Sequence, residues 1–450
     1  MQDDSVPPKG DPPMATSEPA TPTLGYRALL AGRRAAVSAL ALFVLHFAGR
    51  QVGTYWSVRI SVILLCGVVL LNLVPKYQFP IAVITGLTIF SQWSTTRFVF
   101  YHLILVVGAF GLRRRTWALV LYLAVGALII PKQAFRLFYH WEFLHNWINS
   151  YVLGHVMLVT ALWWMENRRG TLPETRFWHW MTLFLFPTHP MNAMNYGPKH
   201  LWVLRTADER SVLRALAVAC GKAVALWALF RFLPGNRMIE QSAVALFDRS
   251  FLSLWGTVFH SYLVVALTLS GTADVVTVGA RMLGWDLKHS FQFALLAWNP
   301  VELWRRWAIY NRRLLLILVY FPLGGSERHR MLNVMMTFWA SGFLLHTGWF
   351  GSKYWGIGAG GYRDQMLYFT LQGVGVCACL WLWKLIGKDP RSDRELRLSP
   401  GRILCTIGTQ AMSAWFHVLV MSQNISFGER WMLMARCLGF GYFFDFGPSS

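Results

Sequence analysis

The stretch NPVELWRRWAIYNRRLLLILVYFPLGG, residues 299–325, places four arginines within nine residues, between strongly apolar runs. They are Arg305, Arg306, Arg312 and Arg313. A charge at the centre of a membrane helix costs roughly 2.5–3.5 kcal/mol on insertion scales. We therefore expect each of these arginines to have a binding partner or a functional role. The arginines could pair with Glu302, with lipid phosphates or with the phosphate of a bound donor. For Arg312 and Arg313 we favour snorkelling of the side chains to the lipid headgroups.

A second candidate for chemistry is His346, in the run RMLNVMMTFWASGFLLHTGWF. A neutral imidazole takes a proton from an attacking hydroxyl and returns it to a thiolate leaving group. The plainer alternative is a core histidine bonded to a backbone carbonyl or water. His155, His260 and His417 also lie in apolar runs, so position alone does not select one of them.

Local spacing predicts how the residues before His346 are held. Asp274 and Arg281 are two helical turns apart, which places them on one face. Asn299 precedes a proline, the arrangement expected at the start of a helix. Trp304 and Trp307 are three residues apart and would form an aromatic edge beside two of the arginines.

The composition is that of a membrane protein. The chain has 450 residues, of which 55% are hydrophobic and 14% charged, against about 25% charged in soluble proteins. The net charge of +21 lies mostly in short gaps between apolar runs, which indicates loops at anionic lipid rather than nucleic-acid binding. The six cysteines also lie in apolar runs without metal-type spacing, so we expect small buried hydrophobes and no metal site.

The apolar runs predict an all-α, polytopic fold of about ten to twelve transmembrane helices. A disordered tail, 1–26, precedes one membrane domain, 27–450. The regions 176–205 and 286–325 are too interrupted to cross as one helix and predict re-entrant or interfacial helices. A cytoplasmic N-terminus is favoured because it brings most loop cations inside. The runs lie near 35–50, 56–74, 79–94, 98–112, 117–131, 150–165, 213–233, 251–270, 331–350, 366–387, 403–422 and 431–444.

The order of motifs over 268–350 resembles the membrane-bound O-acyltransferase family. It is closest to the bacterial branch that includes alginate O-acetyltransferases and the teichoic-acid D-alanylation protein. That branch has a Ser-Gly-x-x-Asp helix ending in Gly-Arg-x-x-Gly, an EFWRRWH segment, a PLGG turn and an SGLWHG helix. The corresponding residues here are Ser270, Gly271, Asp274, Gly279, Arg281, Gly284, Glu302, Trp304, Arg305, Arg306, Trp307, Pro322 to Gly325, Asn333, Ser341, Gly342 and His346.

Two positions depart from the family pattern. Ala308 stands where the family has the histidine of RRWH, and His346 lies one residue later than the family's second histidine. A shift of one residue rotates a helical side chain by about 100°. We expect Asn311, on the turn after Ala308, to supply hydrogen bonding in place of the missing imidazole.

The resemblance implies a membrane acyltransferase with no tightly bound cofactor and no metal. An acyl group, acetyl for instance, would pass from acyl-CoA or an acyl carrier protein to a hydroxyl of a polysaccharide, envelope polymer or lipid. His346 would be the base, and Asn311 would orient the acceptor. The residues implied to bind substrate or donor are Trp304, Arg305, Arg306, Trp307, Asn333 and Ser341.

The resemblance also implies partners and a location. Besides lipid, donor and acceptor, related systems use a separate extracytoplasmic acyltransferase or carrier protein. The location expected is the bacterial cytoplasmic membrane. Two alternatives stay open: a transporter or flippase, which the many helices would suit, and a non-catalytic scaffold, which Ala308 and the shifted His346 would suit.

Overall fold

A computed structural model describes the chain in eleven segments. They are residues 24–52, 58–93, 106–129, 177–178, 181, 209–232, 243–285, 287–342, 362–387, 399–421 and 425–440. The tail predicted over 1–26 lies mostly outside them, and the first helix begins at Leu24. Every regular element in the described segments is a helix.

The helices are numbered here in chain order. The first four are α1 Leu24–Val52, α2 Val58–Leu73, α3 Gln78–Trp93 and α4 Thr116–Ile129. The next three are α5 Glu209–Phe232, α6 Ala243–Phe247 and α7 Phe251–Met282. The last six are α8 Pro300–Arg306, α9 Ile309–Leu315, α10 Arg330–Ala340, α11 Tyr362–Leu385, α12 Pro400–Met421 and α13 Phe427–Cys437.

Four of these helices, α5, α7, α11 and α12, are long and apolar enough to cross a membrane. Four of the predicted runs are therefore confirmed as long apolar helices: 213–233, 251–270, 366–387 and 403–422. The described residues do not support ten to twelve spans. Helices α2, α3 and α4 have 16, 16 and 14 residues, and about 20 are needed to cross the hydrocarbon core. The run 150–165 lies outside the described residues.

Helix α7 is the centre of the structure because it belongs to both large hydrophobic clusters. Its last residues, from Val275, belong to the cluster that includes α1 to α5 and α9, and its earlier residues, up to Ala273, belong to the cluster that includes α10 to α13. Ten consecutive residues, 270–279, are all buried, so this part of the helix is covered on every side. The Arg281 guanidinium closes its last turn by donating to the carbonyls of Leu287 and Ser211.

The arginine-rich stretch folds into two short helices, α8 and α9, of seven residues each. The predicted cap is confirmed, because the Asn299 side chain accepts a hydrogen bond from the Glu302 amide at 2.7 Å. Ala308 joins the helices in the left-handed region, at φ +42°. Neither helix is long enough to cross a bilayer.

Cysteine burial differs from the prediction. All six cysteines are free thiols, and Cys379 and Cys437 are buried as expected. Cys66 and Cys405 are exposed instead. Both lie on helices whose outer faces carry large apolar side chains, a surface that lipid would cover.

Candidate active site

A small cavity lies where α7, the α8–α9 pair, α11 and α12 meet. Its volume is about 50 Å³, which compares with about 10–15 Å³ for one water on the same kind of measure. It therefore holds a few heavy atoms. Its lining consists of Val265, Leu269, Ser290, Phe291, Trp304, Trp307, Ala308, Asn311, Gln365, Tyr368, Phe369, His417 and Val420.

Three residues singled out by the sequence line this cavity: Trp304, Trp307 and Asn311. Ala308, where the family has a histidine, lines it as well. The Asn311 side-chain oxygen is shielded from solvent and has no hydrogen-bond partner among the described residues. The Gln365 side-chain oxygen, on the α11 wall, is in the same position. Since buried acceptors are usually satisfied, two of them on one cavity indicate room for a ligand that donates.

The imidazole on this cavity is that of His417, on α12. Its Nδ1 lies 2.8 Å from the Ser413 carbonyl oxygen. A carbonyl only accepts, so Nδ1 carries the hydrogen and Nε2 keeps a lone pair. Nε2 lies 3.4 Å from the Tyr368 hydroxyl. The ring is thus held in the tautomer that takes up a proton at Nε2.

Aromatic packing holds the imidazole in place. The rings of Tyr262 and Tyr368 contact His417 edge-on, with centroids 4.9 and 4.8 Å away. The Tyr262 hydroxyl donates to the Gln410 side-chain oxygen at 2.8 Å. The Gln410 amide nitrogen in turn lies 3.2 Å from the Ala294 carbonyl oxygen. Helices α7 and α12 and the 294–297 turn are therefore locked together behind the histidine.

The two tryptophans form one wall of the cavity, with ring centroids 6.4 Å apart, as their spacing predicted. The Trp304 indole N–H donates to Gln372 at 3.2 Å, and its ring packs edge-on against Phe338 at 5.0 Å. The Trp307 ring packs against Phe291, also at 5.0 Å. The wall is thus built from α8, α10 and α11, which are far apart in the chain.

The first two arginines form an ion-pair network. Glu302, 3% exposed, lies 3.0 Å from Arg305 and 2.5 Å from Arg306. Both contacts are to the same carboxylate oxygen and run within one helical turn. The network that the sequence offered as one alternative is therefore present.

Two other predicted site residues lie off the cavity. The Asn333 amide nitrogen is within 2.6–3.1 Å of the carbonyl oxygens of Leu323, Gly325 and Arg328. It therefore holds the PLGG turn against α10. Ser341 is buried at the end of α10 and is not part of the lining. His346 lies outside the described residues.

Asp274 and Arg281 lie on one helix, α7, as predicted, but they bind different partners. The Asp274 carboxylate, which has no exposed surface, lies 2.5 Å from Lys222 Nζ and 2.8 Å from His289 Nδ1. Arg281 instead donates to backbone carbonyls. Neither partner of Asp274 was predicted from the sequence. The signal for Lys222 was present, because it is a single cation in the middle of the apolar run 213–233.

Sequence comparisons add no identification. No family model matches the chain, and no curated protein matches it. The likeness to membrane-bound O-acyltransferases therefore rests on the order of the motifs. The groups available for a reaction are those that line the cavity.

Proposed function

We propose that the chain is a membrane O-acyltransferase that moves a short acyl group from a thioester to a hydroxyl. The observation that carries the proposal is the cavity. It joins the Trp304, Trp307 and Asn311 side chains, selected from the motif, with a buried imidazole whose Nε2 has a lone pair. A general base, a polar acceptor and an apolar wall are the groups that acyl transfer to a hydroxyl needs.

The reaction follows from these groups. The acceptor hydroxyl gives its proton to the imidazole while its oxygen attacks the thioester carbonyl carbon. The tetrahedral intermediate then collapses, the C–S bond breaks, and the thiolate takes the proton from the imidazolium. An ester and a free thiol are formed, and no electrons are exchanged. The Asn311 oxygen would accept a hydrogen bond from a second donor group of the acceptor, which leaves the proton of the attacking hydroxyl directed at the imidazole.

Two histidines are candidates for the base. His417 is the one on the described cavity, and His346 is the one the family resemblance selects. His346 follows Gly342 by four residues, which spans at most about 14 Å of chain. A Cβ on Gly342 would lie 3.2 Å from Phe369, which lines the cavity. Both histidines are therefore candidates for the general base, and substitution of each distinguishes them.

The proposal includes the membrane arrangement expected from the sequence. The domain would have ten to twelve spans and a cytoplasmic N-terminus, in a bacterial cytoplasmic membrane. Acyl-CoA or an acyl carrier protein would supply the thioester, and a polysaccharide, envelope polymer or lipid would accept the acyl group. A separate extracytoplasmic acyltransferase or carrier protein would complete the transfer. The four long apolar helices support only the membrane part of this arrangement.

Thioester turnover tests the proposal. Detergent-purified wild type is supplied with acetyl-coenzyme A and an extract of envelope hydroxyl compounds, and free thiol release is followed. We expect His417→Ala or His346→Ala to lower the rate by roughly 10²–10⁴-fold. His260→Ala is the matched control, because His260 is also buried on a long apolar helix and is not part of the lining. Equal loss in all three variants, or none in any, would contradict the assignment.

A transporter is the second candidate because of the Lys222–Asp274 ion pair between two long apolar helices. Ionisable groups in such helices often mark ion pathways. Transport sites, however, usually form where membrane helices are broken, and both α5 and α7 continue past this pair. Counterflow of labelled substrate in proteoliposomes without thiol release would favour transport.

A further inference from the structure

The α8–α9 segment carries more positive than negative charge in a partly buried place. Glu302 is already shared by Arg305 and Arg306 through one oxygen. These side chains are only 32% and 14% exposed. The single carboxylate of Glu302 therefore pairs with two cations, and Arg312 and Arg313 add two more.

Arg312 adds a third cation, for which the described residues provide no counter-charge. Its Nε is shielded from solvent and has no hydrogen-bond partner among the described residues. No carboxylate among the described residues lies within ion-pair distance of the Arg312 guanidinium. Burial, and then the neighbouring charge of Arg305, lower the pKa of Arg312 to about 10. The guanidinium stays protonated at neutral pH, so the charge persists.

The segment that follows α10 adds no acid either. Residues 343–361, which follow α10, contain neither Asp nor Glu. An uncompensated charge in a partly buried site is costly unless an anion neutralises it. Guanidinium groups present several N–H donors in a planar fork, which matches the oxygens of a phosphate.

We infer that Arg305 and Arg312 form a binding site for the phosphate group of a ligand. The site and the cavity share helix α9, because Asn311, the residue before Arg312, lines the cavity. The phosphate belongs to a phosphorylated thioester donor or to a lipid headgroup. Only the assignment to the donor rests on the proposed acyl transfer.

Equilibrium binding tests the site without requiring turnover. The full-length protein in a neutral detergent is titrated with inorganic pyrophosphate and with coenzyme A. In a second arm, nanodiscs with and without phosphatidylglycerol are compared for lipid retained by the protein. The variants are Arg312→Gln, Arg312→Lys and the control Arg313→Gln, whose side chain is the exposed neighbour of the same charge.

The site predicts about a tenfold or greater loss of pyrophosphate affinity in Arg312→Gln, with Arg313→Gln within about twofold of wild type. Arg312→Lys would keep part of the affinity and show that loss of charge, rather than misfolding, causes the effect. If Arg312→Gln also lowers the affinity for coenzyme A, the phosphate belongs to the donor. If Arg312→Gln lowers phosphatidylglycerol retention instead, the phosphate belongs to a lipid headgroup. Equal binding by wild type, Arg312→Gln and Arg313→Gln in both arms would overturn the inference. Binding without thiol release would refute acyl transfer and leave the phosphate site standing.

Discussion

Asp274 shows how a single buried carboxylate joins distant parts of the chain. It lies between Lys222 of α5 and His289 of the turn before α8, with no exposed surface of its own. Asp274→Ala would leave the Lys222 charge buried without a partner, and loss of one member of a buried pair costs about 3–5 kcal/mol. We expect a markedly lower thermal midpoint in detergent. Asp248→Ala is the control, because Asp248 is exposed, and equal midpoints in both variants would refute the prediction.

Cys437 makes a second prediction at the residue scale. Burial raises the pKa of its thiol to about 12, and the thiolate is the form that reacts. N-ethylmaleimide at mildly alkaline pH should therefore modify Cys437 only after denaturation, as read by peptide mass spectrometry. Denatured protein is the control, and there Cys437 should be modified together with the other five cysteines. Rapid labelling of Cys437 in folded protein would show that this packing is wrong.

At the scale of elements, the start of α13 is a capping box. The Ser426 hydroxyl accepts from the Glu429 amide, and the Glu429 carboxylate accepts from the Ser426 amide. Hydrogen bonds from Ser426 to the Glu429 carboxylate, first from the Ser426 side chain and then from its backbone amide, lower the pKa of Glu429. A lowered pKa in the folded state contributes stability above the unfolded pKa, and this is lost as pH falls through the folded value.

The expected outcome is a difference in pH profile. The thermal midpoint of wild type should fall more steeply on acidification than that of Glu429→Gln, which keeps the capping geometry without a titrating group. Ser426→Ala should lose about 1 kcal/mol at neutral pH. Parallel wild-type and Glu429→Gln profiles would mean that the charge contributes nothing.

Close packing of α10 against α11 gives a second prediction for elements. A Cβ on Gly373 would lie 2.9 Å from Met335 Sδ and 3.3 Å from Phe338 Cβ. Gly373→Val should therefore force the helices apart at a cost of about 1–3 kcal/mol, and it should disturb the Trp304 wall that Phe338 supports. Gly408→Val on α12 is the control, because a Cβ there would meet no atom within 4 Å. Comparison of thermal midpoints and thiol release checks both effects.

At the scale of the whole molecule, the long apolar helices predict tight membrane integration. The expressed protein should stay in the membrane pellet after an alkaline carbonate wash and leave it only with detergent. Release by carbonate alone would show that the four long helices do not span.

The sequence by itself determined the features that depend on neighbours along the chain. Helix formation, the Asn299 cap and the Trp304–Trp307 edge follow from spacing, because each involves residues within one or two turns. Four apolar runs likewise predicted the four long helices. The described residues contain fewer long helices than predicted, because hydropathy does not show where an apolar run turns. The α2 run ends at Leu73, before the Pro75 turn, at a length short of a bilayer.

The tertiary structure alone decided which side chains meet. His417 reaches the cavity of Asn311 because α12 packs on α7 and α11, and nothing in its local sequence set it apart from His260. Lys222 meets Asp274 for the same reason, through the packing of α5 on α7. Such contacts depend on the relative placement of whole helices, which is set by the burial of entire faces and not by local spacing.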